Sequence, residues 1–153
     1  MTHAQHAARS SLAAQAFAAT RHCLTGCAIG EIVGTVLSAA LSLSTSTAIV
    51  LGIVLAFVFG YALTFIPLAL DGVAVGRAAG ITLAADTVSI VVMEVVDNVF
   101  VVLVPGAMNA GVVDLLFWGS LIVGLAIAFA PAYLVNRWLI ERGRGHAAMH
   151  AAH

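Results

Sequence analysis

The side chains of this protein with chemistry to offer lie where chemistry is costly. Glu31, Asp86, Glu94 and Asp97, the thiols of Cys23 and Cys27, and the thioether of Met93 all fall inside long apolar stretches. Four residues advance only about 40° around a helix, so Cys23, Cys27, Glu31 and Thr35 form one ridge. Asp86, Ser89, Met93, Glu94 and Asp97 fill a band of roughly 140° when wound at about 100° per residue. Asp86 and Asp97 are almost eclipsed, Glu94 lies at the edge of the band and Asn98 just outside it. An ionised acid at the centre of a membrane helix costs about 2.5 to 3.5 kcal/mol on insertion scales, and such acids mark ion and proton pathways. The Lys and Arg total of 6 is all Arg, and none stands within the acidic stretches. The acids therefore need a proton or a cation from outside. The structural alternative is that they are protonated and hydrogen-bond across a bundle, each holding helices together by about 0.6 to 2 kcal/mol.

The donor types give the cation a character. Thiolate and thioether favour copper(I) and similar soft ions, imidazole suits zinc and copper, and carboxylates suit harder ions or protons. The metal-ligand candidates are His22, Cys23, Cys27, Glu31, Asp86, Met93, Glu94 and Asp97. Read in series, His22 and the two thiols form a soft mouth, Glu31 and Asp86 a shared carboxylate site, and Met93, Glu94 and Asp97 a relay at the membrane centre. With helices starting at Cys23 and Ile81, Glu31 lies about 12 Å deep, Asp86 about 8 Å and Glu94 about 20 Å. The paired motifs of structural zinc sites are absent. A helix that already includes His22 points its ring away from Glu31, so His22 joins the thiols only from an unwound start.

The elements that must position these groups follow from composition. The chain has 153 residues, 62% hydrophobic and 8% charged, with a mean hydropathy of +1.10. Too few charges are present to face water over a soluble domain, and a net charge of -1 excludes nucleic acid as a partner. The expected fold is all-α: a polytopic membrane protein with four transmembrane helices in a bundle. Spans of about 23–43, 48–70, 81–104 and 112–135 follow a leader at 1–22 and precede a tail at 136–153. Each span has at least about 20 residues, enough for a roughly 30 Å hydrocarbon layer. Arg9, Arg21, Arg77, Arg137, Arg142 and Arg144 all fall on one side of this map, which the positive-inside rule assigns to the cytoplasm. Both termini are then cytoplasmic in a bacterial inner membrane, and Cys23 and Cys27 stay reduced.

Gly26, Gly30, Gly34, Ser38 and Ser42 make a small-residue seam on the first span, the kind of surface that brings helices close where lipid supplies no hydrophobic drive. We expect it to join the first helix to the third, and through Gly26, Gly30, Gly34 and Ser38 to support a homo-oligomer. Leu24-Thr25-Gly26-Cys27 looks like a lipoprotein cleavage box, but Arg21, His22 and Cys23 interrupt the apolar core that a signal peptide requires. His146, Met149, His150 and His153 in the tail, with His3 and His6 in the leader, form either a metal-collecting tract or a solvated one.

Four strings carry a resemblance. They are His22-Cys23-Leu24-Thr25-Gly26-Cys27-Ala28-Ile29-Gly30-Glu31, the run from Asp86 to Asn98, Val104-Pro105-Gly106-Ala107-Met108, and Asn136-Arg137-Trp138-Leu139-Ile140. Together they resemble a family of short bacterial four-helix membrane proteins catalogued as a domain of unknown function, over about Thr20 to His146. The resemblance implies the topology and the choice of residues, and its members' similarity to proteins of copper and heavy-metal resistance tilts the cation toward copper. The resulting expectation is a membrane protein that binds or transports a soft transition metal, copper or zinc, between helices 1 and 3. Two alternatives stay open: a proton or alkali-cation conduit without transition metal, and a non-transporting membrane subunit or scaffold. No nucleophile with its base, phosphate loop or cofactor motif is present, so no enzymatic role is expected.

Overall fold

The computed structural model describes the backbone of residues 3–142 and the side chains of residues 11–142. It contains α1 (His3–Ala40), α2 (Thr45–Leu70), α3 (Val75–Leu103) and α4 (Leu115–Glu141), with a single 3-10 turn at Ala107–Asn109 among the described residues. All four helices are long and apolar enough to cross a membrane. The turns between them are built from local hydrogen bonds. Ser42 takes a left-handed φ of 50° at the end of α1, and Ser44 opens α2 by accepting a 3.3 Å hydrogen bond from the Thr47 amide. Gly72, at φ 82°, closes α2 while the Val73 amide donates to the Leu68 carbonyl at 3.0 Å, the left-handed cap for which glycine is suited.

Three boundaries differ from the expected ones. α1 runs unbroken through Cys23, and its membrane-length apolar part opens at Ser11. The preceding Ala-rich stretch is made of the best helix former, Thr20 Oγ1 donates back to the Ala16 carbonyl at 2.8 Å, and Ala16, Ala19 and Thr20 are buried. α3 begins at Val75, so the segment up to Gly80 is helical rather than loop, and α4 continues to Glu141 and takes in Asn136.

Around the bundle α1 packs chiefly on α2, α3 on α4, and α1 on α4, which leaves α1 and α3 facing each other across the diagonal. The glycine seam of α1 therefore meets α2, not α3. A Cβ on Gly26 would lie 2.6 Å from the Gly60 Cα, one on Gly34 2.9 Å from the Gly52 Cα, and one on Gly30 would overlap the Ala56 backbone. The complementary ridge on α2 is Gly52, Ala56, Gly60, Thr64 and Leu68, all buried at four-residue spacing. α4 presents a similar ridge of Gly124, Ala128, Ala132 and Asn136. With small faces on α2 and α4, the larger side chains of α1 and α3 fill the diagonal. Val50, Val54 and Val58 of α2, and Val91, Val95 and Val99 of α3, point outward, as a lipid-facing surface requires.

Candidate functional site

The α1 ridge and the α3 stripe meet in the bundle core as three successive pairs. Near one end the Cys23 Sγ donates to Asp86 Oδ1 at 3.9 Å, with Ser89 and Thr64 beside the pair. One turn on, the Cys27 thiol lies against the Glu94 carboxyl. A further turn on, the carboxyls of Glu31 and Asp97 face each other, with Glu94 close by. Because α1 and α3 run in the same direction, the four-residue spacing of Cys23, Cys27 and Glu31 maps onto the rising positions of Asp86, Glu94 and Asp97. The span from Cys23 to Glu31 is about 12 Å along the axis. Asp86, Glu94 and Asp97 are 0%, 5% and 2% exposed.

The ladder corrects the expected pairing. Glu31 meets Asp97, and Asp86 meets Cys23; Glu31 and Asp86 do not share a level. The error comes from the assumed helix starts: α1 enters the bundle well before Cys23, and α3 only a turn and a half before Ile81, which slides Glu31 past Asp86. His22, already inside the helix, turns away from the thiols, and its Nε2 is hydrogen-bonded with Thr64 Oγ1 at 3.0 Å. Thr64 in turn stands beside Asp86, so His22 reaches the ladder through one hydroxyl.

Several residues at the site were not singled out by type and spacing alone. Asn136 Nδ2 donates to Thr20 Oγ1 at 3.0 Å and to Ser89 Oγ at 2.9 Å, tying α4, α1 and α3 together in the core. Its signal is an amide within an apolar helix, hidden when the fourth span is ended at Val135. Gly124 makes room for Asp97: a Cβ there would occupy the place of Asp97 Oδ1. Asn98 Nδ2 donates to the Glu94 carbonyl at 2.9 Å and to Glu94 Oε2 at 3.4 Å, which orients that carboxyl.

The Glu31–Asp97 end opens into a cavity of about 350 Å³ between the α1–α2 turn and the α3–α4 connection. Glu31, Glu94, Asp97 and Asn98 line its base, Thr35, Ser38 and Ser42 one wall, and the segment Ala107–Gly111 its rim. Glu31 Oε1, Glu94 Oε1, Asp97 Oδ1 and Ser38 Oγ are buried without a hydrogen-bond partner among the described residues. The opposite end carries Arg21, Arg77, Arg137 and Arg142, with the Arg142 guanidinium 4.1 Å over the Trp138 ring.

As a metal centre the predicted set is divided. No group of three or more His, Cys, Asp or Glu side chains among the described residues is placed to hold a metal ion. Cys23, Cys27 and Met93 do belong to one buried cluster with Ile90, Ala128 and Ala132, so the three sulfurs share a neighbourhood while the carboxyls spread along the ladder. The tail residues His146, Met149, His150 and His153, and the side chains of His3 and His6, lie outside the described residues.

No curated protein and no solved structure matches the chain. A family model described as Domain of unknown function (DUF4396) matches residues 13–145. That match takes in α1 from residue 13 onward, the other three helices, the whole ladder and the cavity, and so the chain belongs to the DUF4396 family.

Proposed function

We propose that this four-span membrane protein carries protons along the α1–α3 diagonal. The observation that carries the reading is the contact between the Glu31 and Asp97 carboxyls, whose buried Oε1 and Oδ1 have no protein donor among the described residues. Two carboxyls so placed repel when both are ionised, and a proton between them removes the repulsion. From there the route runs by Glu94 and Cys27 to Cys23 and Asp86, then through Thr64 to half-buried His22. Chains of Asp, Glu and His serve as proton relays in membranes. The Arg-bearing end is the cytoplasmic face in this reading, with both termini there and the cavity open to the other side of a bacterial inner membrane. The role is non-enzymatic.

The test is dissipation of a pH gradient in vesicles holding the purified protein, followed with an internal pH dye and with valinomycin and potassium to balance charge. Wild type should collapse the gradient, and Asp97→Asn and Glu94→Gln should each slow it by about tenfold or more. Equal rates in wild type, both variants and empty vesicles would reject the relay.

One observation favours a second reading, a soft cation such as copper(I) held by sulfur: the shared cluster of Cys23, Cys27 and Met93. Elemental analysis of the purified wild type beside Cys23→Ser/Cys27→Ser decides it. Metal that copurifies with wild type and is absent from the double variant supports the soft-cation reading, and its absence from both removes it.

A further inference from the structure

The cavity above Glu31 and Asp97 has more structure than a proton relay needs. A relay requires a thread of water or hydroxyls, whereas this space of about 350 Å³ falls within the roughly 300 to 1,000 Å³ of small-molecule sites. Its surface is divided by chemistry. Three carboxyls stand at the base, while Ile49, Ile53 and Phe117 contribute apolar wall on the sides away from α1. An inorganic cation would use the base and leave the apolar wall without a role. An anion is repelled by the base, and a neutral apolar molecule would bury the carboxyls beside it without a donor, a costly arrangement.

We infer that the cavity is a binding site for a small organic ammonium ion, its N–H groups donating to the carboxyls of Glu31, Glu94 and Asp97 and its hydrocarbon body lying against Ile49, Ile53 and Phe117. A second observation, independent of the acids, points to a ligand. Ser38 Oγ lines the same cavity, belongs to a residue 7% exposed, and has no hydrogen-bond partner among the described residues. An ammonium has three donors and no acceptor, which matches a base of three acceptor carboxyls, one N–H to each. Charge-assisted bonds of this kind are among the strong ones, and the apolar wall rewards each methylene of the body. The inference deepens the proton reading, because the ammonium takes the place of the proton between Glu31 and Asp97, so binding releases that proton.

The experiment is isothermal titration calorimetry on the full-length protein in detergent, with phenethylammonium chloride as the probe, its neutral analogue 2-phenylethanol, and sodium chloride as comparators. Saturable binding is expected for the ammonium and not for the alcohol or for sodium. Asp97→Asn and Glu94→Gln should each weaken it by about tenfold or more, the worth of a charge-assisted hydrogen bond. Ile53→Trp, which adds bulk to the apolar wall and leaves every carboxyl in the chain, should abolish it, and helical circular dichroism with size exclusion confirms that each variant is folded. Should the acid variants fail to fold, Ile53→Trp alone decides. No saturable heat with folded wild type, binding indifferent to Ile53→Trp, or equal binding of sodium and phenethylammonium overturns the inference. Proton release is read separately in weak buffer: binding without release leaves the ammonium site standing and counts against the proton reading alone.

Discussion

At the scale of single residues, the acids announce themselves and their neighbours do not. A carboxyl in an apolar run is visible from composition, and Glu31, Asp86, Glu94 and Asp97 all lie in the core contacts that their helix faces predict. Which acid meets which was not legible, because pairing depends on where each helix enters the bundle, and an Ala-rich stretch ahead of Cys23 gives no hydrophobic edge to mark it. Gly124 was silent for a different reason: its role is the volume it leaves for Asp97, which no side-chain chemistry advertises. Gly124→Ala should therefore displace the Asp97 carboxyl at a cost of about 1 to 3 kcal/mol, typical of overpacking a filled core. A lowered melting temperature in detergent, together with slowed gradient collapse, is the expected result. In an Asp97→Ala background the same substitution should cost less, since the main clash is gone and only Phe100 Cδ1, at 3.2 Å, stays tight; an equal loss in both backgrounds would show that Gly124 acts elsewhere.

At the scale of helices, length and hydropathy were enough to find four spans, and the small-residue seam of α1 was correctly recognised as a packing surface. Its partner is α2 and not the expected third helix, because α2 carries Gly52, Ala56, Gly60 and Thr64 at the same four-residue spacing. Two small ridges of matching period are complementary, and pairing them brings α1 and α2 backbone to backbone. The two classes of glycine should respond differently. Gly30→Ala puts a methyl into the Ala56 backbone and should separate the helices, costing about 1 to 3 kcal/mol. Gly119→Ala meets nothing within 4 Å and should be neutral or slightly stabilising, given the lower helix propensity of glycine. Thermal melts of the two variants side by side check this, and equal shifts would contradict the close approach of α1 to α2.

At the scale of the whole molecule, charge and cavity give the bundle a direction. Every described Arg lies toward the end where α2 turns into α3, and the acidic cavity opens at the other. Cysteine introduced at Asn109, in a Cys23→Ser/Cys27→Ser background, should be labelled by a membrane-impermeant maleimide added outside intact cells. Cysteine at Arg77 should be labelled only after the membrane is opened. The reverse pattern would invert the orientation. The cavity wall itself has a further consequence. It stops at Glu94, and beyond it Ile90, Met93, Ala128 and Ala132 close the core around the thiols. A vestibule that ends blind is no open pore: a solute larger than a proton that reaches its floor goes no further along the axis unless that collar rearranges, and only the side-chain ladder continues through the closed core.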